Sequence, residues 1–365
     1  MKTKINQYND YINHLSGNIL LGCDGFVDET YEIVEVRKSQ TEFTAIENLK
    51  DFGKLIVDRA GGGVGVEIVP KRRCEGGFGI NSGRIAACLG LKPVLPGLYG
   101  KKEIDPAFHE FVDTCELTSL GDPALTLAFE FSNGKLLMSD LGAVSNLRWA
   151  DFEKHYSKEK ITELFTDVDI LGLGYWSLTS NFDDLFMGFM KQYETLKPPR
   201  RMFFDFADIK KKSSESFIQS LEMIQKYNSK IPMTFSLNHH EIMELCSRIG
   251  VDCKEATPEA ISAALPIARD KIGFDELVVH TPDFAVASSK TEGEAIAMQE
   301  RQTNVIRLAG AGDSFNGGYM CASLGELPIK QRLVLANAAT AFFVTHGTGP
   351  TKQQLIDQIE KASDK

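Results

Sequence analysis

The chain has 365 residues, 43% hydrophobic and 25% charged, enough to bury a sizeable core, and its formal net charge of −10 argues against a nucleic-acid binder, which shows a basic face. Its first residues hold no apolar core of signal-peptide length, and no stretch approaches the ~18 uninterrupted apolar residues of a membrane span. The seven cysteines form no C-x-x-C pair, which speaks against a disulfide framework or a zinc site and leads us to expect a cytoplasmic protein with buried thiols.

In chain order, GNILLGCDGFVDE reads as a buried strand leaving through glycines, with Asp24 and Asp28 at its exit. SGRIAACLGL reads as a small-residue helix and KPVLPGLYG as the next strand. DVDILGLGYWSL and RRMFFDFADI are two further strands, joined by the helix NFDDLFMGFMKQYETL. IPMTFSL is a strand that continues into the helix NHHEIMELCSRIG; DELVVHT and FAVASS follow as strands. GDSFNGGYMCASLG and KQRLVLANAATAFFVTHG close the chain as helices. Strands alternating with helices predict an α/β fold, a central, mostly parallel sheet flanked by helices.

One region departs from that rhythm. ALTLAFEFSNGKLLMSD alternates with period two around Asn133-Gly134, a strong hairpin signal. ETYEIVEV and GVGVEIVP read as partner strands. A small antiparallel β-sheet is therefore expected, inserted within about residues 29–70 and 122–140 of a single domain spanning residues 1–365.

Three stretches carry the chemistry. In RLAGAGDSFNGGYM, Gly310, Ala311 and Gly312 stand directly before Asp313. Bare backbone N–H groups at a helix start attract anions, and their field is expected to keep the carboxylate ionised. A base beside an anion hole is what phosphoryl transfer to an alcohol requires. A plain Asp cap after a flexible turn has the same appearance. GGFGINSGRIAACLGL sets Gly77 and Asn81 in a glycine-rich turn before a helix. The dinucleotide fingerprint is rejected there, because KRRCE rather than a strand is read ahead of it. SLNHHE puts Asn238 and Glu241 at a helix start, where an amide and a carboxylate three apart can hold water on magnesium or form a capping box.

Taken together, these motifs resemble the ribokinase-like (PfkB-type) carbohydrate kinases over nearly the whole chain. GGFGIN looks like that family's first signature and AGAGDSFNGGYM like its second. NHHE fits its N-x-x-E element, and ANAATAFFVTHGTGPT resembles its closing helix and adenine-side loop. The resemblance implies a ribokinase-like fold with a small β-sheet lid over a sugar. It implies an ATP- and Mg2+-dependent transfer of the γ-phosphoryl group to a hydroxyl of a small monosaccharide. Asp313 would be the base, and the N–H groups of Ala311, Gly312 and Asp313, after Gly310, the anion hole. Asp28 and Asn81 would grip sugar hydroxyls, with Asp24 and Gly77 nearby. Asn238 and Glu241 would organise magnesium, through water, and the ATP phosphates. Asn337 would lie beside the adenine, and Gly347 and His280 would fall in the nucleotide-side turns. Two copies are expected to pair through the lid into a homodimer.

Three departures from that pattern stand out. Arg307 occupies the position, six before the base, where many relatives carry a cation-binding Asp, so monovalent-cation activation is not expected. HTPDFA, His280 to Ala285, stands where the family has a glycine-bearing phosphate turn. The segment from Asp28 to Gly76 is long, and its run Gly61 to Gly65 lacks the Lys-Ser/Thr of a P-loop and is read as a lid loop. Arg84, Arg72 and Arg73 are the cations that an acidic sugar would need. A nucleoside kinase of the same fold, with Phe26, Phe78 and Phe129 as aromatic walls, and a non-catalytic sugar or nucleotide sensor are the rival readings.

Overall fold

The computed structural model describes residues 2–325 and 327–363. Its strands are β1 (Ile19–Gly22), β2 (Phe26–Arg37), β3 (Phe43–Ala45), β4 (Glu67–Gly76), β5 (Val94–Gly97), β6 (Glu116–Ser119), β7 (Ala124–Phe131) and β8 (Gly134–Asp140) in the first part of the chain. Then follow β9 (Ile170–Gly174), β10 (Arg201–Asp205), β11 (Met233–Asn238), β12 (Glu276–His280), β13 (Phe284–Ser289) and β14 (Gly293–Met298). Nine of them form the main sheet, in the order β14-β13-β12-β11-β10-β9-β1-β5-β6. The pairs from β12 across to β6 are parallel, and β13 and β14 close one edge antiparallel. From β1 the chain moves outward to β5 and β6, then resumes on the other side of β1 at β9. In open α/β sheets, ligands bind outside the carboxyl ends of the strands at such a reversal.

A parallel sheet must be covered on both faces, and period-two side-chain direction supplies two cores. In β10, Met202 and Phe204 enter one core and Phe203 the other; in β12, Leu277 and Val279 oppose Val278 in the same way. The first core is aromatic: Trp149, Phe152 and Phe189 pack with ring centroids 5.1 to 5.8 Å apart. Each such buried ring stabilises the fold by roughly 1.5–3 kcal/mol. The second core brings the helix Phe78–Cys88 against the helix Ala311–Ala322. Their approach is close: a Cβ on Gly317 would lie 2.4 Å from the Ser82 carbonyl oxygen. Gly317 of the second motif thus serves the packing of its helix against Ser82 of the first.

The second sheet has five strands, in the order β3-β2-β7-β8 with β4 also on β2. Asn133 sits in the β7–β8 turn, closed by the Phe131 and Gly134 pair. The sheet is mixed rather than antiparallel, because β2 and β7 run parallel. These two strands are separated in sequence by β3 to β6, which leaves chain enough for a crossover. KRRCE lies inside β4, so a strand does precede the glycine-rich turn, but it belongs to this second sheet. In β7, Thr126, Ala128 and Glu130 face a cleft shared with the main sheet, while Leu127 and Phe129 face outward. The helix Leu49–Asp58 covers that outward face, Phe52 stacking on Phe131 at 5.8 Å. Gly61 to Gly65 lie in the connection between this helix and β4. Among the described residues no helix is long and apolar enough to cross a membrane.

Candidate active site

Gly310 turns the incoming chain at φ 85°, and the helix begins at Ala311. A Cβ at Gly310 would lie 2.8 Å from Asn81 Cγ, so glycine admits both the left-handed turn and the Asn81 side chain. Asp313, in the first turn, is 5% exposed. Asn81 Nδ2 donates to its Oδ2 at 3.0 Å, and the Tyr175 hydroxyl donates to the same oxygen at 2.9 Å. Ser82 Oγ donates to the Asp313 carbonyl at 3.0 Å. The first motif therefore positions the acid of the second. Burial pushes the Asp313 carboxyl up to about 7, with the Asp205 charge adding and the Asn81 and Tyr175 hydrogen bonds opposing. Burial thus works against the ionised form that the helix start was expected to favour.

Of the three N–H groups expected to form an anion hole, one has a partner within the chain. The Ala311 N–H donates to the Leu308 carbonyl at 3.1 Å. Those of Gly312 and Asp313 meet no acceptor among the described residues, and both residues line the cleft described below.

Each neighbouring strand of the main sheet delivers a polar residue at its carboxyl end. Tyr175 follows β9 at φ 57°, a left-handed conformation that costs a tyrosine on the order of 1 kcal/mol and aims its ring at Asp313. Asp205 ends β10 and accepts from Asn316 Nδ2 at 2.6 Å and from the Ala207 N–H at 2.8 Å; burial raises its carboxyl. Asn238 ends β11, and its Oδ1 accepts from the N–H groups of His240 and Glu241 at 2.9 and 3.0 Å. Glu241 accepts in return from the Asn238 N–H at 2.7 Å, and burial beside Asp205 raises its carboxyl. The capping box is therefore real, and both side chains also line the cleft. His280 ends β12; burial pushes its imidazole down to about 4, so it is neutral beside Gly312.

These groups line a cleft of about 1050 Å³ between the two sheets. The second sheet contributes Asp28, Thr126, Lys135 and Ser139 to its wall. Burial raises the Asp28 carboxyl, against a hydrogen bond with Thr126 and the charges of Arg307 and Lys135. Asn81 Oδ1 is buried without a partner, an acceptor that a substrate hydroxyl can satisfy. Of the residues singled out from the sequence, Asp28, Gly77, Asn81, Asn238, Glu241, His280 and Gly310 to Asp313 all share this cleft.

Three do not line it. Asp24 is buried, and its two oxygens accept from the Phe78 and Gly79 N–H groups at 2.7 and 3.1 Å, capping the helix that carries Asn81. Asn337 donates to the Ala297 carbonyl at 3.3 Å and ties its helix to β14. Gly347 ends the same helix at φ 74° and packs behind Ile306, which is itself part of the cleft wall. Of the cations, Arg84 is buried against Glu75, Glu110 and the Phe111 ring, away from the cleft. Arg73 pairs with Asp105 at 2.6 Å, and Arg72 alone of the three lines the cleft. Tyr175, Asp205, Asp208 and Lys135 were missed; the first three lie at or just after strand ends of the main sheet, whereas Asp28, read at the exit of the first strand, lies inside β2.

Fold and cleft together define an ATP-dependent carbohydrate kinase with the ribokinase-like architecture. A model of the prokaryotic ketohexokinase family matches residues 10–361, and the chain belongs to that family. It is 26% identical over 343 residues to the ketohexokinase of Haloferax volcanii, covering 93% of this chain and 90% of that one. Arabidopsis thaliana ribokinase complexed with ribose and ATP superposes with a TM-score of 0.63 at 15% identity, over 94% of this chain and 98% of that one. Escherichia coli phosphofructokinase-2 in complex with substrates and products gives 0.63 at 14%, over 95% and 100%. The nucleoside kinase of Methanocaldococcus jannaschii gives 0.62 at 13%, over 95% and 99%.

Proposed function

We propose that this protein transfers the γ-phosphoryl group of ATP to a hydroxyl of a free ketohexose, with Asp313 as the base. The observation that carries this reading is a carboxylate at the wall of a cleft, beside two bare N–H groups at a helix start. Asp313 accepts the hydroxyl proton, the sugar oxygen forms a bond to the γ-phosphorus, and the bond to the β-γ bridging oxygen breaks, releasing ADP. The Gly312 and Asp313 N–H groups meet the charge on the transferring group. The ketohexose follows from the family and from the name of the Haloferax volcanii relative. Of the three arginines named for an acidic sugar, Arg84 is committed to Glu75 and Glu110, Arg73 pairs with Asp105, and Arg72 lines the cleft.

Magnesium fits the site as an ion brought by the nucleotide. Among the described residues no three His, Cys, Asp or Glu side chains gather to hold a metal directly. Mg2+ commonly keeps its waters and binds through substrate phosphates and one or two carboxylates, a role for which Glu241 and Asp208 line the cleft. Bound there, the ion would supply charge neutralisation at the phosphates. Seven free cysteines support a reducing, cytoplasmic setting. Pairing of two copies through the second sheet would use its strand edges, since the helix Leu49–Asp58 covers the outward face.

The test is purified protein with Mg-ATP and a panel of fructose, other ketohexoses, ribose, fructose 6-phosphate and adenosine, with ADP release and product mass as readouts. Fructose phosphorylated well above the others supports the reading. ADP release with adenosine alone would replace it by a nucleoside kinase, and ligand binding with ATP left intact would replace it by a sensor.

A further inference from the structure

The two oxygens of Asp313 are not equivalent. Oδ2 accepts from both Asn81 and Tyr175, while among the described residues no donor reaches Oδ1. Tyr175 is unusually committed to this contact. Its backbone is left-handed, its N–H donates to the Asp205 carbonyl at 2.7 Å, and its ring is edge-on to Phe26 at 6.0 Å and tilted against Phe78 at 6.3 Å. The ring is therefore clamped and the hydroxyl has one acceptor. Burial raises the phenol well above its ordinary value, so it remains a neutral donor.

We propose that Tyr175 is a positioning residue which, with Asn81, pins Oδ2 of Asp313 and thereby assigns Oδ1 as the atom that takes the proton from the sugar hydroxyl. The inference rests on the kinase reading above and deepens it. Two neutral donors on one oxygen stop the carboxylate from rotating about its Cβ–Cγ bond. In the transfer step, the hydroxyl O–H bond breaks, Oδ1 gains the proton, and the sugar oxygen uses the freed pair on the γ-phosphorus; Tyr175 keeps its own proton throughout. The other titratable groups near Asp313 are Asp24, Asp28, Asp205, Glu241 and His280, and the nearby cation Arg307 acts on Asp28. Asn81 and Tyr175 are the side chains that donate to this carboxylate, so the phenol is the one contact that can be removed while Asn81 stays in place.

Tyr175→Phe keeps the ring and deletes the hydroxyl. Titration of the Asp313 carboxyl by 13C NMR in aspartate-labelled, unliganded protein, with Asp313→Asn to assign the signal, reads the contact without reference to activity. The midpoint is expected to rise by about half a unit or more, because a hydrogen bond to the charged form is lost. The acidic limb of kcat/KM should move by the same amount in the same direction, with kcat down about tenfold and the KM for ATP within about twofold. Replacement of Tyr175 by 3-fluorotyrosine, a stronger donor of nearly equal size, should move both midpoints the other way, and it guards against a Tyr175→Phe protein that folds poorly. Carboxyl midpoints unmoved in the two variants would overturn the proposal. A parent that phosphorylates nothing while the carboxyl midpoints still shift would overturn the kinase reading and leave the Tyr175 contact standing.

Discussion

Glu75 and Arg307 join the second sheet to the loop that leads into the helix Ala311–Ala322. Arg307 Nη1 donates to Glu75 Oε1 at 2.7 Å and Nη2 to the Glu75 carbonyl at 3.0 Å, while Nε donates to the Ala309 carbonyl at 3.2 Å. The same carboxylate pairs with Arg84, and both guanidinium groups are buried. Glu75→Gln would leave two buried cations without their shared counter-charge. A loss of about 3 kcal/mol or more is expected in urea denaturation, because removing one partner of a buried ion pair strands the other.

Arg307 also bears on ion dependence. Its positive charge stands permanently in the loop that leads to Asp313, over the Phe343 ring at 5.2 Å. Turnover in potassium is expected to match turnover in tetramethylammonium within about twofold, as a fixed guanidinium leaves no role for a mobile cation there. A severalfold activation by potassium in initial-rate assays would contradict this.

Asp313→Asn should lower kcat by about 10²–10⁴, the usual contribution of a general base, while calorimetry still detects sugar and ATP binding. In the parent, a carboxyl near 7 is protonated on the acid side and cannot accept the hydroxyl proton. The kcat/KM profile should therefore fall about tenfold per unit below that value and level off above it.

The same burial predicts how stability varies with pH. Asp24 and Asp313 are each pushed up to about 7 by burial, well above the ordinary value near 4 of the unfolded chain. The fold therefore favours their protonated forms, a contribution that is complete below the unfolded value and is lost as pH rises through the folded one. Unliganded protein should melt at a higher temperature at pH 6 than at pH 8, and Asp313→Asn should flatten the difference.

Asp24→Asn separates a cap from a sugar ligand. An amide offers one acceptor oxygen where the carboxylate offers two, so either the Phe78 or the Gly79 N–H is orphaned. The cost should be about 1–3 kcal/mol in denaturant midpoint. The KM for sugar should change less than in Asp28→Asn, whose side chain lines the cleft.

Most of the main sheet was legible because its strands are apolar runs bounded by turns, and β1, β5 and β9 to β13 fall within the quoted segments. The helix Pro258–Ile272 was overlooked although Thr257, Pro258 and Gly273 mark its ends, and the helix Leu49–Asp58 lacks a side-chain cap bond to announce it. Direction within the second sheet could not be read, since periodicity reports which face a residue takes and is silent on which strand lies beside it. That residues of the two signatures and Asp28 share one cleft was legible, although Asp28 lies inside β2 rather than at the exit of β1. The roles of Asp24 and Ala311 were not, because each turns on a partner distant in the chain or on a turn closed by Leu308. Tyr175 was hidden for a similar reason: nothing in GLGYW shows that the backbone turns left-handed there.

Asn81 and Asp313, hydrogen-bonded in the cleft, are 232 residues apart in the chain. During synthesis the half that carries Asn81 and Tyr175 would emerge from the ribosome long before Asp313. A fragment ending before the Ala311–Ala322 helix would keep every strand from β1 to β14, yet Asn81 and Tyr175 would have no carboxylate to hold.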